Sequence, residues 1–201
     1  MTHFWMTGAL GSPAAGPWLA HTLVRYYIDG ELEPSIAFTP PLAAGVGFDD
    51  NFVFGTKEAG HGSEKGGWYV NYHFPFGTSV RVTLELPGTE PGCAWVIVRG
   101  CEGLPVQVGA LTLPPTARMR LHKIEAVTFP ALGWVPAVDV PAGDGLVFMH
   151  TISVNSTQAS FWEGCYSHRW SSLLDAPYYI SLVFFHTKYN RGRLNDSTAR
   201  S

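Results

Sequence analysis

Apolar and polar residues alternate strictly in the segment SVRVTLEL, where Val80, Val82, Leu84 and Leu86 are separated by polar side chains. This period of two predicts a strand with one buried face. The turn segment PGTEPG comes next, and it is followed by AWVIVRG (94–100), a more continuous apolar stretch. We therefore expect the two stretches to pair as an antiparallel hairpin across a Gly/Pro loop.

Other short apolar segments, separated by Gly and Pro, extend along the chain. They are RYYI, GWYVNYHF, LPVQVGALTL, ARMRLHK, GDGLVFMHTISV and PYYISLVFF. None has a capped helical stripe, and we expect no helix of three or more turns between Val80 and Leu113. This pattern predicts an all-β protein, a jelly-roll β-sandwich. Pro114-Pro115 is a candidate boundary, which divides the chain into units 1–115 and 116–201.

The segment RYYIDGELEPSI predicts a hairpin in which a strand, an acidic turn and a second strand follow one another. Asp-Gly is a favoured turn dipeptide for backbone reasons alone. Asp29 and Glu31 are therefore expected to be solvated turn residues. The hairpin has no nucleophile, metal cluster or phosphate loop, and we interpret it as scaffold.

Composition excludes several classes of function. The 201 residues include 13 Lys and Arg against 16 Asp and Glu, with a formal charge of -3, which is not the charge of a nucleic-acid binder. No apolar run approaches the ~20 residues needed to cross a bilayer. No standard secretion signal is visible at the start of the chain. We expect a soluble protein without a membrane partner, and the compartment stays open.

Metal and cofactor chemistry is not indicated by the sequence. The three cysteines, Cys93, Cys101 and Cys165, have no C-x-x-C spacing, and we expect reduced structural thiols. The histidines of the later strands lack the paired spacing of metal ligands. The segment GSEKGG also lacks the spacing of a phosphate-binding loop. We predict no cofactor.

An ordered series of segments is more specific than any single motif. The series runs HFWMTGA, RYYIDGELEPSI, PLAAGVGFDD, GTKEAGHGSEKGGWYVNYHFPFGTSVRVTLEL, LPVQVG, LPPTARMRLHK and FWEGC. It resembles the DUF2961 proteins, grouped as glycoside hydrolase family 172. The resemblance implies a double jelly roll, here with a second half left incomplete because the chain ends at Ser201. It also implies a carbohydrate partner, a trimeric or hexameric assembly, and cleavage of α-linked fructofuranosides or arabinofuranosides.

The same resemblance implies candidate catalytic residues. Glu163 in SFWEGCY matches a functional acidic position of the family, and neighbouring aromatic groups can raise a carboxyl pKa as a proton donor requires. Family members usually carry a second glutamate in S-G-T-E-D-Y-F, whereas this chain reads SSLLDAPYYISLVFF. Asp175 is the nearest carboxylate. Glycoside hydrolysis ordinarily needs two such groups.

Aromatic and polar residues that resemble the family's pocket-facing loops complete the candidate site. The expected substrate-binding residues are Trp5, Asp49, His61, Trp68, Asn71, His73 and Trp162. Two functions stay open: a furanosidase that uses Glu163 and Asp175, or a non-catalytic carbohydrate-binding or assembly subunit. An incomplete second jelly roll would leave edges and apolar faces such as YYISLVFF uncovered, and we expect self-association.

Overall fold

The structure of the protein is a computed structural model. It describes residues 1–9, 21–44, 54–62, 67–86, 93–125, 127–128, 145–153 and 179–186. The strands of the first half are β1 (His3–Ala9), β2 (Leu23–Ile28), β3 (Ile36–Phe38), β4 (Phe54–Gly55), β5 (Ala59–His61), β6 (Trp68–Val70) and β7 (Val80–Glu85). The later strands are β8 (Cys93–Arg99), β9 (Gln107–Val108), β10 (Leu111–Thr112), β11 (Arg118–Glu125), β12 (Gly145–Ser153) and β13 (Tyr179–His186). The protein is all-β, as predicted.

Helix is almost absent from the described residues. One short helix, α1 (Pro40–Ala43), begins with two prolines, which are compatible with the first turn because its N–H groups have no partner within the helix. All four of its residues are buried. The described residues between Val80 and Leu113 contain strands and turns only, which confirms the expectation from the alternating pattern.

The strands form four sheets. A five-stranded sheet has the order β4-β5-β6-β1-β8, and a three-stranded sheet has the order β3-β2-β7. Every pairing in these two sheets is antiparallel. The third sheet, β11-β13-β12, is parallel throughout, and β9 and β10 form a two-stranded antiparallel sheet.

The predicted hairpin between SVRVTLEL and AWVIVRG is wrong. Strand β7 pairs with β2, with Val24 opposite Leu84, whereas β8 pairs with β1, with Trp5 opposite Ile97. The chain thus passes from one sheet to the other between the two strands. The inward positions alternate as predicted at Val80, Val82 and Leu84, which pack against the core, whereas Leu86 lies beyond β7 and is 41% exposed. The pattern identified each strand but not its partner.

The predicted hairpin in RYYIDGELEPSI is confirmed, because β2 and β3 pair antiparallel with Arg25 opposite Ala37. Its acidic residues are not solvated turn residues, however. Glu31 Oε2 accepts hydrogen bonds from the backbone N–H groups of Ile28 and Ser35, which closes the connection. Asp29 accepts a separate set of hydrogen bonds from the backbone N–H groups of 77–79.

The hydrophobic core lies between the inner faces of the five-stranded sheet and the β3-β2-β7 sheet. Tyr26, at the centre of β2, makes edge-to-face contacts with rings from both layers, with ring centroids 4.8 Å from Phe74, 5.5 Å from Phe38 and 6.1 Å from Phe4. Met119 of β11 belongs to the same buried cluster. The core therefore includes a residue beyond the candidate boundary at Pro115, and that boundary stays a prediction.

The expectation that YYISLVFF has an uncovered backbone edge is also wrong for the residues of β13. This strand has β11 on one side and β12 on the other, so both of its backbone edges are paired. Within the described part of the chain, no helix has the length and apolar character to cross a membrane.

Candidate functional site

The outer face of the five-stranded sheet carries aromatic and polar side chains together. In β1 the side chains of Phe4 and Met6 are buried in the core, so alternation directs those of His3, Trp5 and Thr7 to the opposite face. These three outward side chains are half-buried. Strand β1 is therefore polar and aromatic on its outer side.

The neighbouring β6 repeats the pattern. Trp68 and Val70 are buried, and Tyr69 between them is half-buried on the outer side. Tyr69 lies directly opposite Trp5 in the strand pairing. Directly opposite residues share a face, so the two aromatic rings are neighbours on it.

The third strand of this surface is β8, at the edge of the sheet. Ile97 lies opposite Trp5 and Trp95 lies opposite Thr7, which makes Trp5 and Trp95 diagonal neighbours. The Trp95 side chain is 49% exposed. We define the outer patch as His3, Trp5, Tyr69, Asn71, Trp95 and Ile97.

Gly67 fixes the position of the Trp5 indole. A Cβ atom at this glycine would overlap the Trp5 ring atoms Cε2, Nε1 and Cζ2 at less than contact distance. The indole thus packs directly on the backbone at the start of β6. Only a residue without a side chain permits this approach.

Asn71 is anchored by three hydrogen bonds. Its backbone N–H donates to the carbonyl of Glu58 at 2.5 Å, and its Nδ2 donates to the carbonyl of Lys57 at 2.8 Å. Since the amide nitrogen is used in this way, Oδ1 faces Nδ1 of His3 at 2.6 Å and accepts the ring N–H. A neutral His3 ring then has Nε2 as a hydrogen-bond acceptor.

Tyr69 and His73 are also held in place by hydrogen bonds. Tyr69 donates its hydroxyl to the carbonyl of Thr56 at 2.7 Å. His73, which is exposed, has Nδ1 3.2 Å from the carbonyl of Gln107. Such bonds reduce the rotamer freedom that a ligand would otherwise have to remove.

His61 and Trp68, two of the expected substrate-binding residues, lie on the other face. They are opposite one another in β5 and β6, and their rings stack with centroids 4.2 Å apart and an interplanar angle of 7°. Both side chains are buried. The structure therefore separates them from Trp5 and Asn71, which it brings together on the outer face.

The remaining expected site residues lie outside the described residues. They are Asp49, Trp162, Glu163 and Asp175. The pairing of Glu163 with Asp175 as catalytic carboxylates stays a prediction.

Four residues of the outer patch were missed by the sequence reasoning. They are His3, Tyr69, Trp95 and Ile97. Alternation could have indicated Tyr69, because it separates two residues of a predicted strand. Trp95 and Ile97 had no such signal, since the apolar residues of AWVIVRG are continuous and do not distinguish an outer from an inner face.

A second polar cluster surrounds Asp29. Its Oδ1 accepts backbone N–H bonds from Gly77 (2.8 Å), Thr78 (2.6 Å) and Ser79 (3.2 Å), and its Oδ2 lies 2.6 Å from Nη2 of Arg118. Burial alone would raise the pKa of Asp29, but these hydrogen bonds and the guanidinium lower it to about 2. The Gly77 N–H also lies 3.0 Å from Oδ2, so both oxygens are occupied by several donors and the carboxylate is a structural group.

Burial raises the pKa of two tyrosines of the core. Tyr26 is shifted well above its ordinary range, and Tyr72, which also lies near the charge of Glu58, is shifted upward as well. Both hydroxyls therefore stay protonated.

Among the described residues, no three His, Cys, Asp or Glu side chains are grouped as a metal ion would need. No known family model and no curated protein sequence matches this chain.

Proposed function

We propose that this protein binds carbohydrate on the outer patch of its five-stranded sheet. The observation that carries the proposal is that Trp5, Tyr69 and Trp95 share one partly exposed face with the hydrogen-bonding groups of His3 and Asn71. Aromatic faces suit the apolar C–H surface of a sugar, and polar groups between them suit its hydroxyl rim.

The geometry of the patch supports this kind of ligand. Diagonal neighbours such as Trp5 and Trp95 are close enough for one short oligosaccharide to contact both. The hydrogen bonds of Asn71 and the packing of Trp5 on Gly67 hold both side chains before any ligand arrives. This preorganisation lowers the entropic cost of binding.

A binding titration tests the proposal. Tryptophan fluorescence and calorimetry should detect binding of arabino- or fructo-oligosaccharides. Trp95→Ala should weaken this binding by about tenfold, a loss of ~1.4 kcal/mol of binding free energy. The matched control is Tyr27→Ala. That ring lies under Arg81 on the outer side of the β3-β2-β7 sheet, away from the patch. The proposal would be contradicted if Trp95→Ala bound the sugar as tightly as the unmodified protein, or if Trp95→Ala and Tyr27→Ala lost the same amount of affinity.

The resemblance to glycoside hydrolase family 172 supports a second proposal, a furanosidase acting on α-linked fructose or arabinose units within a jelly-roll fold. Glu163 in FWEGC carries it, with Asp175 as the partner carboxylate. Glu163→Gln should abolish release of the aryl group from an aryl arabinofuranoside or fructofuranoside while the fold is retained, because an amide cannot transfer the proton. A protein that binds sugar but shows no turnover before mutation would favour the non-catalytic function.

A further inference from the structure

Strand β8 is an apolar strand at the edge of the five-stranded sheet. Among the described strands its one neighbour is β1. Trp95 and Ile97 are exposed on the outer face, while Val96 and Val98 are 37% and 46% exposed on the inner face. The strand thus shows apolar surface on both sides of the sheet. An edge of this kind is a template for pairing with another strand.

The other edges of the described sheets are protected. Four edge strands, β3, β4, β9 and β10, have only two or three residues each. Charged side chains lie along β7 (Arg81, Glu85) and along β11, and β12 has a register shift between Val147 and Met149. Short length, charge and bulges all discourage edge pairing. Within this part of the chain, β8 alone is long, regular and apolar.

We propose that β8 pairs antiparallel with β8 of a second copy, with the two-fold axis at Ile97. In this register Val96 lies opposite Val98 of the partner subunit. Trp95 lies opposite the partner's Arg99, a pair suited to a cation–π contact. Cys93 lies opposite the partner's Cys101. Each residue thus meets a chemically suitable partner, and a two-fold axis requires this self-complementarity.

The buried area predicts a weak dimer. The four side chains from Trp95 to Val98 expose on the order of 300 Å² per copy, given that an aromatic side chain offers ~150–250 Å². Pairing at the edge covers only part of this surface, because both faces of the sheet and the outer patch stay open, so the interface is smaller than the ~1,000 Å² of a stable complex. Backbone hydrogen bonds add to this, and we expect dissociation in the micromolar range.

Sedimentation of the full chain tests the interface. The unmodified protein should change from monomer to dimer over about 1 to 100 μM. Val96→Lys should shift the midpoint at least about tenfold upward, because it places an ammonium group among apolar side chains. The matched control is Leu32→Lys, at a 91% exposed turn position, which should leave the midpoint unchanged.

Two further measurements do not depend on the folding of Val96→Lys. Hydrogen exchange of the unmodified protein should slow in 93–99 at high concentration. In a Cys165→Ser background, copper–phenanthroline should oxidise the thiols of Cys93 and the partner's Cys101 to a disulfide, with two electrons passing to two Cu²⁺ ions and the two thiol protons released to solvent. Cys93→Ser or Cys101→Ser should each abolish the covalent dimer. A monomer at every concentration, exchange in 93–99 independent of concentration, a dimer insensitive to Val96→Lys, or a cross-link that persists in either serine variant would overturn the proposal.

Discussion

Asp29 connects three segments of the chain through one carboxylate. It has a φ of 54°, in the left-handed region that Asp tolerates better than most residues, and Gly30 follows with a φ of 81°. This turn brings the carboxylate to the N–H groups of 77–79 and to Arg118 at the start of β11. A side chain at Gly77 would collide with the Arg118 guanidinium, so this glycine permits the close approach.

Asp29→Asn should destabilise the protein by about 1–2 kcal/mol at pH 7, because a pKa lowered from 3.8 to about 2 corresponds to slightly over ~2 kcal/mol and partial solvent exposure reduces this. Asn is chosen because it also tolerates the left-handed conformation. The folded pKa is below the unfolded value, so the stabilisation is complete above about pH 4 and is lost as pH falls toward 2. Urea unfolding of both proteins between pH 2 and 7 measures this. A difference that does not shrink on acidification would contradict the charge argument.

Gly67→Ala tests how the Trp5 indole is held. The added methyl would overlap the ring, so the indole should move and tryptophan fluorescence should change. If the outer patch binds carbohydrate, affinity should fall as well. Gly62→Ala is the matched control, because its Cβ would make only an ordinary contact, 3.8 Å from the Gly67 carbonyl. Similar effects of both substitutions would indicate a general disturbance of the strand instead.

At the scale of elements, the sequence predicts strands well and their partners poorly. Alternation in SVRVTLEL identified the inward face of β7, since an alternating strand can bury only one side. The choice of β2 over β8 as its partner is a long-range effect. Strands that follow one another in a sandwich often belong to opposite sheets, and no local pattern distinguishes this from a hairpin. Trp5 was named from the family resemblance, whereas the continuous apolar pattern of AWVIVRG did not indicate which face Trp95 occupies.

The centre of β2 gives a test of the core. Tyr26 is fully buried among aromatic rings, and its hydroxyl has no hydrogen-bond partner among the residues that the structure describes. Because an unpaired buried hydroxyl costs free energy, Tyr26→Phe should leave stability unchanged or raise it by about 1 kcal/mol. Tyr26→Ala should cost ~3–5 kcal/mol through the cavity it leaves. Thermal unfolding of the two variants measures these differences in stability. Marked destabilisation by Tyr26→Phe would show that the hydroxyl has a hydrogen-bond partner.

At the scale of the whole molecule, the core extends across the boundary that the prolines suggested. Ala117 and Met119 are buried in the cluster that contains Phe4 and Tyr26, and the Arg118–Asp29 ion pair also joins the two sides. Pro114-Pro115 indicated a boundary because proline interrupts strands. A turn between two strands of one unit requires the same residues, so composition alone could not separate the two cases.

Met119→Ala tests whether residues up to β11 unfold together with the first half. Met119 is almost fully buried, so the truncation should cost about 2–5 kcal/mol. If the core is shared, the unfolding midpoint followed by tryptophan fluorescence should move to lower denaturant concentration. Hydrogen exchange of the β2 amides should also become faster. Arg120→Ala, at an exposed position of the same strand, should change stability far less. A shift confined to 116–125, with β2 exchange unchanged, would instead support two separate units divided at Pro115.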